Sequence, residues 1–142
     1  MSKGFTLVEL LIVIVITSIM MALAMPSFTD FMALTQVKTD ASNLHLSLMR
    51  ARSEAITRNT SITVQPAAGG WQDGWTISNG IETQGAAKTE IAGPASVIYN
   101  ANGRVAGDAA VSFEISSQKT ASKYCVTISL SGQPIVKSEE CS

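Results

Sequence analysis

The stretch Phe5–Met25, FTLVELLIVIVITSIMMALAM, is 21 residues of nearly unbroken apolar chain with one formal charge, Glu9. As a helix it rises about 31 Å, which matches a bilayer core of about 30 Å. A charged side chain at the centre of such a helix costs roughly 2.5–3.5 kcal/mol, and ionisable groups kept inside membranes usually have a partner and a task. A segment selected only for anchoring would carry Leu at position 9. The natural partner of a carboxylate is an amine, and a cut after Gly4 would create one at Phe5.

The lead-in MSKGFTLVELL resembles the signature of type IV prepilins. It has a short leader with a basic residue (Lys3), Gly at the cut, an aromatic first mature residue, and then Thr-Leu-Val-Glu. The resemblance runs unbroken from Gly4 to Leu11. It implies that a membrane peptidase cuts between Gly4 and Phe5 and methylates the new amine of Phe5. It also implies that Glu9 neutralises the amine of a neighbouring subunit in a helical filament. Pro26 follows the apolar run, at the place where pilin-like helices commonly bend. A competing reading is a conventional secretory signal cut after Ala22-Leu23-Ala24. Two features count against it: Glu9 interrupts the join of charged and apolar regions, and the run exceeds the usual 7–15 apolar residues.

The chain has 142 residues, enough for one domain plus an appended helix. Four segments are expected: a leader at 1–4, a transmembrane and assembly half-helix at 5–25, an amphipathic half-helix at 26–59, and a globular head at 60–142. Ten Lys/Arg against eleven Asp/Glu exclude a bulk polycation that binds nucleic acid through net charge. The two cysteines, Cys125 and Cys141, are an even pair in an exported domain, which favours a disulfide. Such a ring is worth about 3 kcal/mol in the chain-entropy model.

Beyond Pro26 the apolar pattern narrows. Val37, Ala41, Leu44, Leu48, Ala51 and Ala55 recur at spacings of four and three, one stripe on an amphipathic helix. Lys38, Asp40, Arg50, Arg52 and Glu54 lie off the stripe. The alanines suggest close approach to a sheet, and Arg58-Asn59 is the expected end, since Asn is a common C-terminal cap. Then the period changes to two. Strands are expected at Ser61–Val64, Trp75–Ile77, Ser96–Tyr99, Arg104-Val105, Val111–Ile115, Tyr124–Leu130 and Pro134–Val136. Pro66–Gly70 reads as a loop, Asp73-Gly74 as a turn between Trp71 and Trp75, and Ser78–Gly93 as mostly loop. The expected class is α+β: a meander of short antiparallel strands against one long helix.

Three head motifs in order, Trp71–Trp75 (WQDGW), Tyr99–Val105 (YNANGRV) and Tyr124–Gln133 (YCVTISLSGQ), resemble the GspH/FimT-like minor pilins and pseudopilins. Ser53-Glu54-Ala55 before Arg58-Asn59 resembles the helix end of the same family.

No enzyme constellation appears in the sequence, and no cofactor or metal site is expected. His45 stands alone beside the Leu44/Leu48 stripe, a packing or rim residue, and no HxH, HExxH or CxxC occurs. The glycines at 69, 70 and 74 are not followed by Gly-Lys-Ser/Thr, so no phosphate loop is present. Trp71 and Trp75 are expected in the core rather than as a stacking platform. Some FimT-like minor pilins bind DNA through a C-terminal Gly-Arg-x-Arg. Here that place reads Gly132-Gln133-Pro134-Ile135, without either arginine, and Glu139-Glu140 follows. Arg104, Lys119, Lys123 and Lys137 are the cations left to contact phosphate, with Arg104, Lys123 and Lys137 as the weak candidates.

The resemblance therefore implies a minor pilin-like subunit that helps initiate or cap a type IV pilus or related filament. Its partners would be other pilins or pseudopilins through the N-terminal helix, the prepilin peptidase and the inner-membrane assembly platform. It would sit in the bacterial inner membrane with the head in the periplasm, then enter the filament. The alternatives are a type II secretion pseudopilin and a DNA-receptor minor pilin.

Overall fold

Helix α1 runs without interruption over Leu7–Arg58, 52 residues and about 78 Å of rise. The computed structural model describes residues 5–78, 80–107 and 109–141, and the side chains of all of these but 24–26. Gly4, with the expected cut, lies outside the described residues. So does the side chain of Pro26, where a bend is expected.

Both ends of α1 follow from local chemistry. Thr6 is the N-cap, in extended conformation, and its Oγ1 accepts from the Glu9 amide at 3.2 Å. That is half of the Thr-x-x-Glu capping arrangement. At the other end Asn59 takes the left-handed conformation (φ 48°, ψ 45°) and donates its N–H to the Ile56 carbonyl, while the Thr60 amide reaches Ala55. These paired bonds satisfy carbonyls that the last turn leaves open.

The narrow stripe is buried throughout: Val37, Ala41, Leu44, Leu48, Ala51 and Ala55 have no exposed surface, and Ala33 extends the stripe one turn earlier. The described residues of the head form eight strands: β1 (Ile62–Ala67), β2 (Gly70–Ile77), β3 (Glu82–Gln84), β4 (Glu90–Ala92), β5 (Val97–Tyr99), β6 (Val111–Ser117), β7 (Thr120–Ile128) and β8 (Pro134–Lys137), and α1 packs on β1, β5, β6, β7 and β8. The strands form two antiparallel sheets, ordered β3-β2-β1-β5 and β4-β6-β7-β8. The class is α+β, one long helix on a β-rich head. The chain is not a simple meander, however: β4 leaves the first sheet for the second, and β5 returns to pair with β1.

Several local expectations change. The segment Ser78–Gly93 contains β3 (Glu-Thr-Gln) and β4 (Glu-Ile-Ala), three-residue edge strands too short to give a periodic signal. Arg104-Val105 forms only a single bridge, between Tyr99 and Val105. Leu130 lies past the end of β7 and is exposed. Asp73-Gly74 does not turn the chain, because the β1–β2 connection falls at residues 68–69 and β2 continues through Gly74. Pairing with β1 jumps from Pro66↔Trp75 to Ala67↔Gly70, so Trp71–Gly74 bulges out of the ladder. Gly74 has φ 108°, and a Cβ there would collide with the Gln84 carbonyl. The glycine therefore serves a bulge and a close chain approach, not a reversal.

The bulge has a packing consequence. Trp71 and Trp75 are both buried, with ring centroids 6.3 Å apart. Trp71 meets Phe113 of the other sheet edge-on at 4.8 Å, and its indole N–H donates to the Pro94 carbonyl at 2.7 Å. One aromatic side chain thus joins the two sheets with its polar atom satisfied.

Candidate assembly helix and head surface

Every described side chain from Phe5 to Leu23 is exposed. Leu7 is 79% exposed and Leu23 75%. A helix that is apolar on all sides finds its minimum inside lipid or among other helices, not in water. Mean hydropathy of the apolar window reaches 2.7. The hydroxyls within the segment are satisfied by their own helix: Thr17 donates to Val13 and Ile14, and Ser18 to Val15. Neither of these two hydroxyls is left as an open donor to oppose an apolar environment. Glu9 remains as the one charge, exposed, and its carboxylate has no bonded partner among the described residues. Phe5, also exposed, precedes the N-cap.

The head is locked to the second half of α1 by polar side chains that flank the stripe. Asp40 is 5% exposed and accepts from Thr89 Oγ1 at 2.8 Å, the Lys88 amide at 3.0 Å and Gln36 Nε2 at 3.1 Å. A buried carboxylate is tolerable when its oxygens are this fully bonded. Ser47 and Arg50 both bind Glu82 at the start of β3. Arg52 donates to the carbonyls of Gly103 and Ser131. The sequence reading placed Asp40, Arg50 and Arg52 off the stripe and assigned them nothing. The seven-residue spacing of Asp40 and Ser47 puts both on the same flank and is the signal that could have found them.

The second and third head motifs meet at Arg52. Asn100 turns the chain by accepting the amides of Asn102 and Arg104 on Oδ1, each at 3.1 Å. Gly132, at φ 81°, sits directly against the Gly103 carbonyl. The two turns and the helix thus form one junction.

Cys125 on β7 and Cys141 are joined in a disulfide with Cα atoms 5.1 Å apart, which staples the chain beyond β8 onto the second sheet. The weak DNA candidates are not assembled into a basic patch. Lys123 bonds Glu140 at 2.9 Å and Glu114 at 3.3 Å, and Lys137 bonds Glu139 at 3.3 Å. The Glu140 and Glu114 carboxylates raise the Lys123 pKa above its usual value. Arg104 lies beside the turn before β8, whereas Lys123 lies toward the opposite end of β7, five residues from Ile128. His45 is half-buried, with Nε2 3.3 Å from the Met49 sulfur, and desolvation lowers its pKa. No grouping of three His, Cys, Asp or Glu side chains suited to a metal occurs among the described residues.

Residues 40–132 match the family described as type II transport protein GspH, and residues 1–25 match the prokaryotic N-terminal methylation motif. Two fimbrial proteins of Pseudomonas aeruginosa are 33% identical over 91 residues, covering 63% of this chain and 58% of theirs. A type IV major fimbrial protein FimA of Dichelobacter nodosus is 48% identical over 42 residues, 30% of this chain and 26% of that one. The chain thus spans 58% of the length of the first of these relatives. Two crystal structures of the Pseudomonas aeruginosa (strain PAO1) type IV minor pilin FimU share the fold, each at a TM-score of 0.64. Their identities are 20% and 21%, covering 70% and 78% of this chain and 91% and 92% of those chains.

Proposed function

Because the chain belongs to the GspH family of type IV pilin-like proteins, we propose that it is a minor pilin-like subunit that helps initiate or cap a type IV pilus or related filament. The observation that carries this reading is the helix: apolar and exposed on all sides from Phe5 to Leu23, interrupted only by Glu9, and continuous with the stripe that carries the head. In the membrane, lipid covers that surface. In a filament, equivalent helices of other pilins or pseudopilins cover it, and Glu9 offsets the amine of a neighbouring Phe5.

On this reading the prepilin peptidase cuts between Gly4 and Phe5 and methylates Phe5. The chain waits in the inner membrane with its head in the periplasm, and the assembly platform moves it into the filament. The subunit works by packing rather than by catalysis, as pilins and pseudopilins do. The family description favours a second reading, a pseudopilin of type II secretion. A neighbouring gene for a retraction ATPase, or a secretin-linked secretion operon, separates the two. A DNA-receptor role ranks lower, because the carboxylates of Glu114, Glu139 and Glu140 already engage Lys123 and Lys137.

Intact mass of the protein extracted from membranes tests the proposal. The expected mass lacks Met1–Gly4 and carries one added methyl group. The mature chain should also be present in filaments sheared from cells. A chain beginning at Met25, as a secretory cut would leave, overturns it.

A further inference from the structure

Most charges on the second half of α1 are engaged along its flanks. Asp40 bonds Thr89, Arg50 bonds Glu82, Arg52 bonds the Gly103 carbonyl, and Glu54 pairs with Arg58. The side turned away from the buried stripe carries Phe28, Phe31, Thr35, Ser42, Leu46 and Met49, at spacings of three, four and seven that keep them on one face. Phe28 and Leu46 are each 64% exposed, and Phe31 and Met49 are exposed too. The hydroxyls among them turn back onto the helix: Thr35 donates to the Phe31 carbonyl at 2.9 Å and Ser42 to that of Lys38 at 2.8 Å. By helical geometry Lys38 stands at one edge of this face, and Arg50, held by Glu82, at the other. A helix with one side on its own domain ordinarily gives the other to water. This one is largely apolar on both sides, and a contiguous apolar surface of that kind marks a docking site.

Lipid does not reach this face. Leu46 and Met49 stand about 32 and 36 Å beyond Met25, the end of the apolar run. The headgroup layer extends only roughly 5–7 Å past the hydrocarbon core, so it reaches Phe28 and stops well short of Leu46. Two lengths identify a protein cover. The face rises about 32 Å from Phe28 to Met49, and the apolar run Phe5–Met25 rises about 31 Å. That run belongs to the same unbroken helix and has apolar side chains on every side, so it offers a matching surface whichever way it is turned. Thr35 and Ser42, small between large neighbours, let another helix approach closely. We propose that this face seats the apolar half-helix of a neighbouring pilin-like subunit displaced by about 35 Å toward the head, which sets its first apolar turn level with Phe28. The anchor of one subunit then lies along the head-bearing half of the next, and a single rod both inserts and receives.

This inference rests on the filament subunit proposed above. The test places the photo-crosslinker p-benzoyl-phenylalanine at position 46 or 49 of the full chain, irradiates sheared filaments and maps the adducts by mass spectrometry. The expected adducts join these positions to the apolar N-terminal segment of a pilin or pseudopilin. Leu46→Glu and Ser42→Glu should each lower the ratio of filament to membrane protein on the order of tenfold, because the new charge is buried without a partner. The heads of both variants should unfold at the midpoint of the parent, since the two side chains are exposed in the single subunit. Leu46→Met should enter filaments like the parent, and so should Ser112→Glu, a charge at an exposed position of β6. Adducts to a head strand of another subunit or to lipid overturn the proposal, as does no adduct from either position. Unchanged incorporation of Leu46→Glu, or equal loss in Ser112→Glu, overturns it as well. If the parent chain itself is absent from filaments, the subunit reading falls and this inference with it.

Discussion

Gly132 is packed so closely against the Gly103 carbonyl oxygen that a β-carbon at position 132 would overlap it. The two residues belong to different turns, 29 positions apart, and Arg52 of α1 bonds carbonyls in both turns. Two short sequence motifs that look independent along the chain are two sides of one contact.

Gly132→Ala should therefore destabilise the head. The position needs φ 81°, and the added methyl also meets backbone rather than a flexible side chain. The cost should be at least about 1–3 kcal/mol. Denaturant unfolding of the full chain in detergent measures it, and a midpoint equal to that of the parent would contradict the contact.

The disulfide makes a separate demand. Cys141→Ser should lower stability by about 3 kcal/mol through the larger entropy of the unfolded chain. Mass analysis without reductant should find Cys125 and Cys141 joined in protein exported to the periplasm. Two alkylatable thiols in that protein would contradict the staple.

Glu9→Ala should insert into membranes at least as well as the parent, because it removes a charge from an apolar span. It should enter filaments poorly, since breaking a buried ion pair costs roughly 3–5 kcal/mol. Fractionation of membranes and sheared filaments separates the two effects. Normal incorporation would leave Glu9 without a recruiting role.

Acid should weaken the head in part through His45. Burial lowers its folded-state pKa below the ordinary 6.5. Above pH 6.5 both folded and unfolded states are neutral there, and the contribution is fully present. As pH falls below 6.5 the unfolded state takes up the proton first, and the contribution is lost until the folded-state pKa is passed. His45→Gln should flatten the stability profile between pH 7 and 5 relative to the parent, as read by thermal unfolding.

The helix and its buried stripe were legible because six positions repeat at alternating spacings of four and three and Asn59 carries its own stop signal. Strands β6 and β7 were legible from Val111, Phe113 and Ile115 and from Tyr124, Val126 and Ile128. What escaped has physical causes. Strands β3 and β4 have three residues each, too short to show a period, and β4 pairs with β6 rather than with its chain neighbour β3. Asp73-Gly74 has the composition of a reversal, but the positive φ that Gly74 supplies is spent on a bulge. Asp40 could be placed only off the stripe, because nothing local announces Thr89, 49 residues later. At the assembly helix, the apolar run and Glu9 could be read directly. The pairing of Lys123 with both Glu114 and Glu140 required the fold.

The contact between helix and head also has a mechanical meaning. From Val37 to Ala55 the stripe runs about 27 Å along the axis and touches strands of both sheets. A pull along α1 therefore loads that seam in shear, with many side chains sharing the tension at once. Detachment by peeling would break them one after another, but the axis of the rod does not point that way. Traction applied to the apolar end of the helix would reach the head through its whole length of contact rather than through a single linker.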